Sequence, residues 1–469
     1  MKRTIACILL GSVLVISSCS LRQQYVRPEA PVPAEWPSGA AYSPKLGDDA
    51  AAMASKLSWD AFFPDECLQW LIQVSLNNNR DLRLAALNVE KARALYGIQR
   101  AELYPSLGAT GNIDMQRVPA DLSSSHTATT QKQYSVNLGI SSWEIDFFGR
   151  IGSLKDQALE TYLASEETRN SAQISLISTV AGAYLTLVAD KEALSIAQST
   201  LATQQASYQL ILKRLQAGVG TDIDLQRAKT QVDSAQADIW RFTQQIAKDL
   251  NALNLVVGKP VDEELLAKDL AGIRPLQPIS PGLSSEVLLL RPDIRAAEHR
   301  LLAANAQIDA ARAALFPRIS LTTAIGTASA DLGGLFGSGQ GTWLFAPQIS
   351  APIFDARLWS AYDAARIEGE LAIAQYEKAI QSAFREVADA LAIRGTIDRQ
   401  IEIQQSLFQS ASRTYELANQ RYAQGVDSYL GVLDAQRAMY SAQQGLVQLH
   451  LAKLANQVQL YAVLGGGAA

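Results

Sequence analysis

The sequence contains few cysteines and histidines, and this scarcity excludes two common kinds of site. Of the three cysteines, Cys7 and Cys19 lie within or at the end of an N-terminal leader, so Cys67 is the only one left in the body of the chain. A disulfide framework within the chain is therefore excluded. The three histidines are far apart in the sequence. We therefore expect no metal site and no cofactor other than covalent lipid.

The chain also lacks an excess of positive charge. Its formal net charge is −5, and removal of Lys2 and Arg3 with the leader would lower it by two, to −7. Nucleic-acid binders carry a basic footprint, so we do not expect one here. Close carboxylate pairs occur at Asp222 with Asp224 and at Glu144 with Asp146, but no nucleophile–base set accompanies them. The sequence therefore does not predict an enzyme.

Long hydrophobic runs are missing as well. The apolar run Ile5–Ile16 is too short to span a membrane, and with Lys2 and Arg3 it predicts a signal peptide over residues 1–18. The segment Ile16–Cys19 resembles a bacterial lipobox, which implies cleavage before Cys19 and attachment of lipid to it. The non-acidic Ser20 then implies sorting to the outer membrane. The alternative is an ordinary signal followed by a chance cysteine.

Proline is concentrated near the N-terminus and is absent from two long stretches farther on. Residues 19–66 are proline-rich and predict an extended strap, with the apolar cluster Trp59–Phe63 as its docking point. From 358 to 424 there is no proline, and Leu433, Tyr440, Val447, Leu454 and Tyr461 then recur every seven residues. This pattern predicts a coiled-coil hairpin that turns at Gly425.

A first hairpin of the same kind extends from about 151 to 257 and turns at Gly218-Val219-Gly220. A helix of its length would span roughly 100 Å, at about 1.5 Å per residue. The dipeptide Gly218-Val219 recurs as Gly425-Val426 at an offset of 207 residues, as does Ser234-Ala235-Gln236. This offset indicates an internal duplication.

Each half also contains an alternating segment typical of β-strands. Helical patterns stop at Tyr104-Pro105 and Phe316-Pro317, and β-hairpins are expected at about 104–146 and 317–353. We therefore divide the mature chain into the strap (19–66), repeat 1 (67–257), a proline-bearing linker (258–284) and repeat 2 (285–469).

Four strands of this length suit an outer-membrane barrel but cannot close one, since the smallest barrels need about eight strands. Open strand edges are not viable in lipid. The predicted fold is therefore mainly α with a β-barrel portion. Three chains would share a 12-stranded barrel, and their helical hairpins would form a 12-helix tunnel.

Specific segments carry a family resemblance that covers essentially the whole mature chain. Tyr25–Pro28, Trp59–Phe63, Asn79–Leu82 and Leu290–Glu298 resemble the TolC-like outer membrane factor family, within its lipoprotein branch. Leu290 departs from the family pattern, which usually has a second arginine there. The resemblance implies a homotrimer in the outer membrane with its helices in the periplasm. A periplasmic adaptor and an inner-membrane pump of the resistance–nodulation–division (RND) class are the implied partners.

The resemblance also implies a gate near the tip of the second hairpin. Asp434 and Arg437 match the family segment that holds the periplasmic end closed, and Leu430 would add an apolar constriction. The alternative is a solvated helix face with an ordinary i,i+3 pair. The expected adaptor contacts lie at the two turns and comprise Gly218, Gly220, Asp222, Gly425 and Asp427.

The resulting prediction is a passive exit duct that conducts small molecules, such as drugs or other toxic compounds, out of a tripartite efflux system. Two alternatives remain at this point. One is a duct for type I protein secretion. The other, of a different class, is a structural lipoprotein that uses its coiled coils as a spacer, although a spacer needs no strands.

Overall fold

The computed structural model describes residues 25–42, 52–53, 57–124, 126–274, 276–280 and 284–466. Cys19 and the predicted signal peptide lie outside these residues. The chain divides into two compact units, and both halves of the sequence contribute segments to each of them. The main elements are, in chain order, α1 (Glu66–Asn78), α2 (Arg80–Ala101), β1 (Leu107–Val118), β2 (Thr129–Ile145), α3 (Arg150–Gln216), α4 (Asp222–Val257), α5 (Pro292–Ala313), β3 (Arg318–Ser329), β4 (Gly341–Ser350), α6 (Ala356–Ala423) and α7 (Tyr429–Val463).

The first unit contains a four-stranded antiparallel sheet in the order β1-β2-β3-β4. The two predicted β-hairpins are present, and β2 pairs with β3 to join them, with Asn137 opposite Gly326. At this junction the backbones lie close together, because a methyl group on Gly326 would overlap the carbonyl oxygen of Val136. β1 and β4 form the two edges of the sheet. At 17 residues, β2 is longer than predicted and contains a register shift between Ile140 and Trp143.

The sheet exposes large apolar side chains in the single chain. Trp343 is 80% exposed, and Ile113 and Phe345 are exposed as well. A soluble sheet would cover such residues, whereas lipid accommodates them. The exposed surface and the two open edges are both features of a sheet segment that belongs to a membrane barrel.

Hydrogen bonds at the end of β2 fix the start of α3. The Arg150 side chain donates twice to the Glu144 carboxylate, at 2.9 and 2.8 Å. The Asp146 carboxylate accepts from the backbone N–H groups of Ile151 and Gly152, which belong to the first helical turn. The Glu144/Asp146 pair noted in the sequence therefore holds a helix start by capping, which places acceptors at unsatisfied N–H groups.

The second unit contains the helical core. On α3 an apolar stretch buries Ile177, Tyr184 and Val188 completely or almost so. This is the one helix in the described part of the chain that contains an apolar window long enough to cross a membrane, and half of that window is buried inside the protein. This degree of burial is typical of a core helix that packs against neighbouring helices.

The N-terminal segment docks on this core through aromatic rings. Residues 25–42 are mostly extended, with one 3-10 turn at Ala40–Tyr42. The segment predicted to be wholly extended also contains a one-turn helix at Trp59–Phe62. Phe62 stacks on Tyr461 with ring centroids 4.0 Å apart, and the Tyr461 hydroxyl donates to the carbonyl of Leu57 at 2.7 Å. Within the predicted docking cluster, Phe62 and Phe63 are fully buried, whereas Asp60 and Ala61 are exposed.

Candidate functional site at the hairpin tips

The turns of the two long helical hairpins have the same backbone conformation. Gly218 and Gly425 have φ angles of 77° and 76°, in the left-handed region that favours glycine. In each turn the next N–H bonds back five residues, from Val219 to Arg214 at 3.0 Å and from Val426 to Arg421 at 2.9 Å. This is the Schellman pattern, which satisfies the last carbonyls of a helix. The glycine positions identified from the duplication are therefore helix ends.

At the first tip, a tightly packed glycine and a capping threonine come directly before α4. A methyl group on Gly220 would lie 2.9 Å from the backbone nitrogen of Leu215, so glycine is required for close packing. Thr221 is the N-cap, and its hydroxyl accepts from the Asp224 N–H at 3.2 Å. Asp222 is exposed in the first turn of α4, where a negative charge complements the helix dipole.

At the second tip, an ion pair spans the turn. The Arg421 guanidinium donates twice to the Asp427 carboxylate, at 2.5 and 3.0 Å. This contact holds the pKa of Asp427 below its usual range and raises that of Arg421. The sequence predicts Asp427 only as an adaptor contact and does not predict Arg421 as a site residue. The sequence does contain one signal for this ion pair, because an arginine and an aspartate lie six residues apart on either side of a glycine turn.

An apolar cluster packs the two hairpins together just behind the tips. Its buried members are Ile211 and Ala228 from the first hairpin and Tyr422, Tyr429, Val432 and Leu433 from the second. Burial raises the pKa of Tyr429 to about 12. The Arg214 guanidinium lies over the Tyr422 ring, 4.7 Å from its centroid, in cation–π geometry. The tips are therefore held together by contacts within one chain.

The predicted gate residues lie on the opposite side of α7 from this cluster. Leu430 is 44% exposed, and Asp434, one helical turn farther on, is exposed as well. Val432, Leu433 and Gln436 are buried on the other side of the helix. α7 therefore presents Leu430 and Asp434 away from its own chain, where a neighbouring molecule or the solvent would meet them.

Arg437 makes a contact that the sequence did not predict. Its Nε donates to the side-chain oxygen of Gln231 on α4 at 3.3 Å. The i,i+3 spacing puts Asp434 one turn from Arg437, but the hydrogen bond that Arg437 makes here is to Gln231. The sequence could not identify this partner because the two residues are 206 positions apart.

A polar cavity of about 210 Å³ adjoins this contact. Gln204 and Gln436 line it and are 4% and 2% exposed, and their side-chain oxygens have no hydrogen-bond donor in the described part of the chain. Buried amide oxygens favour a donor such as water. Elsewhere among the described residues, no group of three or more His, Cys, Asp or Glu side chains gathers into a metal-binding arrangement.

Comparisons with known proteins agree with this architecture. The sequence model of the family described as "Outer membrane efflux protein" matches residues 71–259 and 283–466. The toluene efflux pump outer membrane protein TtgC of Pseudomonas putida is 46% identical over 457 residues, covering 97% of this chain and 94% of that protein. Outer membrane protein OprJ of Pseudomonas aeruginosa is 41% identical over the same coverage of both proteins.

Among solved structures, the open state of the Neisseria gonorrhoeae MtrE outer membrane channel is similar, with a TM-score of 0.86 and 36% identity. The match covers 96% of this chain and 99% of that one. The predicted family, fold class and location are confirmed, and the spacer and secretion readings are not favoured. The chain belongs to the outer membrane efflux protein family, as the outer-membrane exit duct of a tripartite efflux system with its helical tunnel in the periplasm.

Proposed function

We propose that the duct is a homotrimer in which three four-stranded sheets close into one 12-stranded barrel. The two open edges of the sheet carry this proposal, because no strand among the described residues pairs with the outer side of β1 or β4, which are 12 and 10 residues long. Unpaired backbone groups are costly in lipid, so each edge requires the edge of another chain. Three chains also bring together 12 long helical segments, four from each chain.

Within this trimer, Leu430, Asp434 and Arg437 form the periplasmic gate. Leu430 and Asp434 face away from their own chain, so three copies around an axis would make an apolar ring beside an acidic one. Mutual repulsion of the carboxylates requires nearby cations, and Arg437 is one helical turn from Asp434. The Arg437–Gln231 hydrogen bond would add a brace from α7 to the first hairpin of the same chain.

The gate is tested by single-channel conductance in planar bilayers. The double variant Asp434→Ala/Arg437→Ala should conduct more than the wild type, because it removes the charges that hold the end closed. Arg385→Ala/Asp389→Ala removes a solvent-exposed pair on α6 and is the matched control, with no change expected. Unchanged conductance in the gate variant would contradict the assignment.

The two tips form the adaptor-binding surface. They present Gly218, Gly220, Asp222, Gly425 and Asp427, and the valine after each turn glycine, Val219 and Val426, is more than half exposed. A rigid backbone carrying an exposed apolar side chain suits docking against another helical tip. A photo-crosslinker at Val219 or Val426 should capture the periplasmic adaptor, whereas one at the exposed Trp240 of α4 should not. Capture only at Trp240 would refute the tip assignment.

The inner-membrane partner is a pump of the RND class, and the cargo is small molecules. Relatives of this chain are named for toluene, solvent and antibiotic efflux, which supports drugs and apolar toxic compounds as cargo. Expression in cells that lack their own duct should restore tolerance to such compounds when the cognate adaptor and pump are supplied. Restored export of a secreted protein with no gain in tolerance would favour the secretion alternative instead.

The mature N-terminus is anchored by lipid on Cys19. The lipobox-like segment supports this proposal, and acyl chains would hold the strap at the membrane in addition to the barrel. The intact mass of the mature protein should exceed that of the polypeptide 19–469 by the mass of the acyl groups. Cys19→Ser should yield no acylated form, and a wild-type mass equal to the bare polypeptide would contradict the assignment.

A further inference from the structure

Asp190 of α3 and Asp249 of α4 meet between the two helices of the first hairpin. At this level the two helices are in contact, since Ala193 of α3 and Phe242 of α4 belong to one buried apolar cluster. The Asp190 carboxyl has the Asp249 carboxyl as a hydrogen-bonding partner. One oxygen of Asp249, Oδ1, accepts from the Gln245 side chain at 2.8 Å. The other, Oδ2, is buried without a donor in the described part of the chain. Ionised carboxylates only accept hydrogen bonds, so this contact requires a proton on one of the two groups.

The surroundings of the pair favour retention of that proton. The neighbouring residues Val188, Ala189 and Ala193 on α3 and Phe242 on α4 are buried and apolar. Burial raises the pKa of Asp190 to about 7, and the hydrogen bond to Asp249 and the Asp249 charge act in the same direction. Like charges this close cannot both ionise without a large cost, and carboxyl pairs elsewhere share one proton for this reason.

Nearby charged groups are already engaged by other partners. On α4, Arg241 is the cation that lowers the pKa of Asp190, but its guanidinium is bonded to Asp238 at 2.9 Å. On α3, Lys191 pairs with Glu263 at 3.2 Å, and Glu192 accepts from the Leu270 backbone. No ion pair among the described residues includes Asp190 or Asp249, so the pair depends on its proton.

α7 contacts the same region through two side chains. The Tyr440 hydroxyl donates to the free oxygen of Asp238 at 3.1 Å, and the Gln444 side chain donates to the carbonyl of Ala193 at 3.4 Å. Burial raises the pKa of Tyr440 to about 12, so it stays a neutral donor across the neutral range. The titrating group that faces the hairpin interior is therefore the aspartate pair.

We propose that Asp190 and Asp249 share one proton that clamps α3 to α4, and that loss of this proton to solvent as the pH rises loosens the hairpin. The clamp would make the periplasmic helices sensitive to proton concentration near neutrality. Both residues belong to one hairpin of one chain, so the clamp requires neither closure of the trimer nor the gate.

The direction of the pH effect follows from linkage. At low pH both the folded and the unfolded chain hold the proton. Between the usual aspartate pKa of about 4 and the raised value of about 7, only the folded chain holds it, so stability falls as the pH rises through this interval. Above about 7 Asp190 is ionised in the folded chain as well, and the loss is complete.

Thermal unfolding of the detergent-purified protein between pH 5.5 and 8.5 tests the clamp. The wild type should melt several degrees lower at pH 8.5 than at pH 5.5. Asparagine mimics a protonated carboxyl, so Asp190→Asn and Asp249→Asn should lose most of this difference and melt above the wild type at pH 8.5. Asp233→Asn, on the exposed Lys229–Asp233 pair of α4, should keep the wild-type slope.

Infrared spectroscopy of the wild type provides a readout that needs no variant to fold. A carbonyl band of a protonated carboxylic acid should be present at pH 6 and disappear by pH 8.5, and Asp190→Asn should lack it. Absence of this band from the wild type at pH 6 would overturn the proposal. A wild-type pH slope retained in both asparagine variants would overturn it as well.

Discussion

Arg437 of α7 donates a hydrogen bond of 3.3 Å to the side chain of Gln231 on α4. The bond joins the second helical hairpin to the first within one chain. It leaves Asp434, one turn away, exposed. The closed end of the duct would therefore rest on two different contacts, a brace inside each chain and the attraction between the Asp434 ring and nearby cations.

If the Arg437–Gln231 bond helps to close the gate, substitution of Gln231 should change conductance, although Gln231 does not belong to the predicted acidic ring. Gln231→Ala should raise single-channel conductance in the same direction as Arg437→Ala, because either change removes the bond between α7 and α4. The double variant should add little to either single change, since residues in contact are not independent. Gln226→Ala on the exposed side of α4 is the control, and fully additive effects would argue against a brace.

The turn glycines predict a local change in stability at the tips. Gly425→Ala forces a side chain into the left-handed region and should cost about 1–2 kcal/mol. Gly431→Ala lies inside α7, with nothing within 4 Å of the added methyl group, and should be neutral or stabilising by up to about 1 kcal/mol. Hydrogen exchange of residues 420–430 should therefore be faster in the first variant only. Equal exchange in both would contradict the turn assignment.

The close approach of β2 and β3 predicts a defect in barrel formation. Gly326→Ala would place a methyl group against the Val136 carbonyl and should weaken the pairing that joins the two β-hairpins. Gly333→Ala, in the loop after β3, has open space around it and should be tolerated. Heat resistance of the assembled form on gels measures the effect. Wild-type resistance in Gly326→Ala would show that the strands can separate slightly without loss of assembly.

The buried Arg291 predicts a large loss of stability. It is 8% exposed and bonds to Asp293, Glu386 and the carbonyl of Val463. Arg291→Ala should cost about 1–3 kcal/mol, because it leaves the buried carbonyl of Val463 without its donor. The Asp293 and Glu386 carboxylates are 41% and 37% exposed, so water partly replaces the lost cation there. The exposed Arg385 pairs with Asp389 one helical turn away, and Arg385→Ala should cost less than about 1 kcal/mol. Denaturant unfolding measures the loss of unfolding free energy in each variant, and similar losses in Arg291→Ala and Arg385→Ala would contradict the prediction.

The helices and their turns were predictable because the signals that fix them are local. Heptad spacing without proline predicted the ends of the long helices to within about two residues, and the duplicated glycines predicted the positions of both turns. Alternation identified the four strands, although the length of β2 also depends on its partner strands. Leu290, where the family pattern usually has a second arginine, is exposed, and Arg291 alone makes the buried contacts.

Side-chain partners between distant helices were not predictable from one sequence. The Arg437–Gln231 bond and the Asp190–Asp249 contact depend on the relative register of helices that heptad spacing leaves open. A shift of one turn would bring different side chains together at the same seam. The Arg421–Asp427 pair is local, but its geometry exists only once Gly425 adopts its left-handed conformation.

The most direct test of the central claim is native mass spectrometry of the detergent-purified mature protein, followed by conductance of the same sample in bilayers. The account predicts a trimer with low resting conductance, in which three sheets complete one barrel and the gate of the helical tunnel is closed. A stable monomer that forms no channels would leave β1 and β4 without partners and would contradict the account.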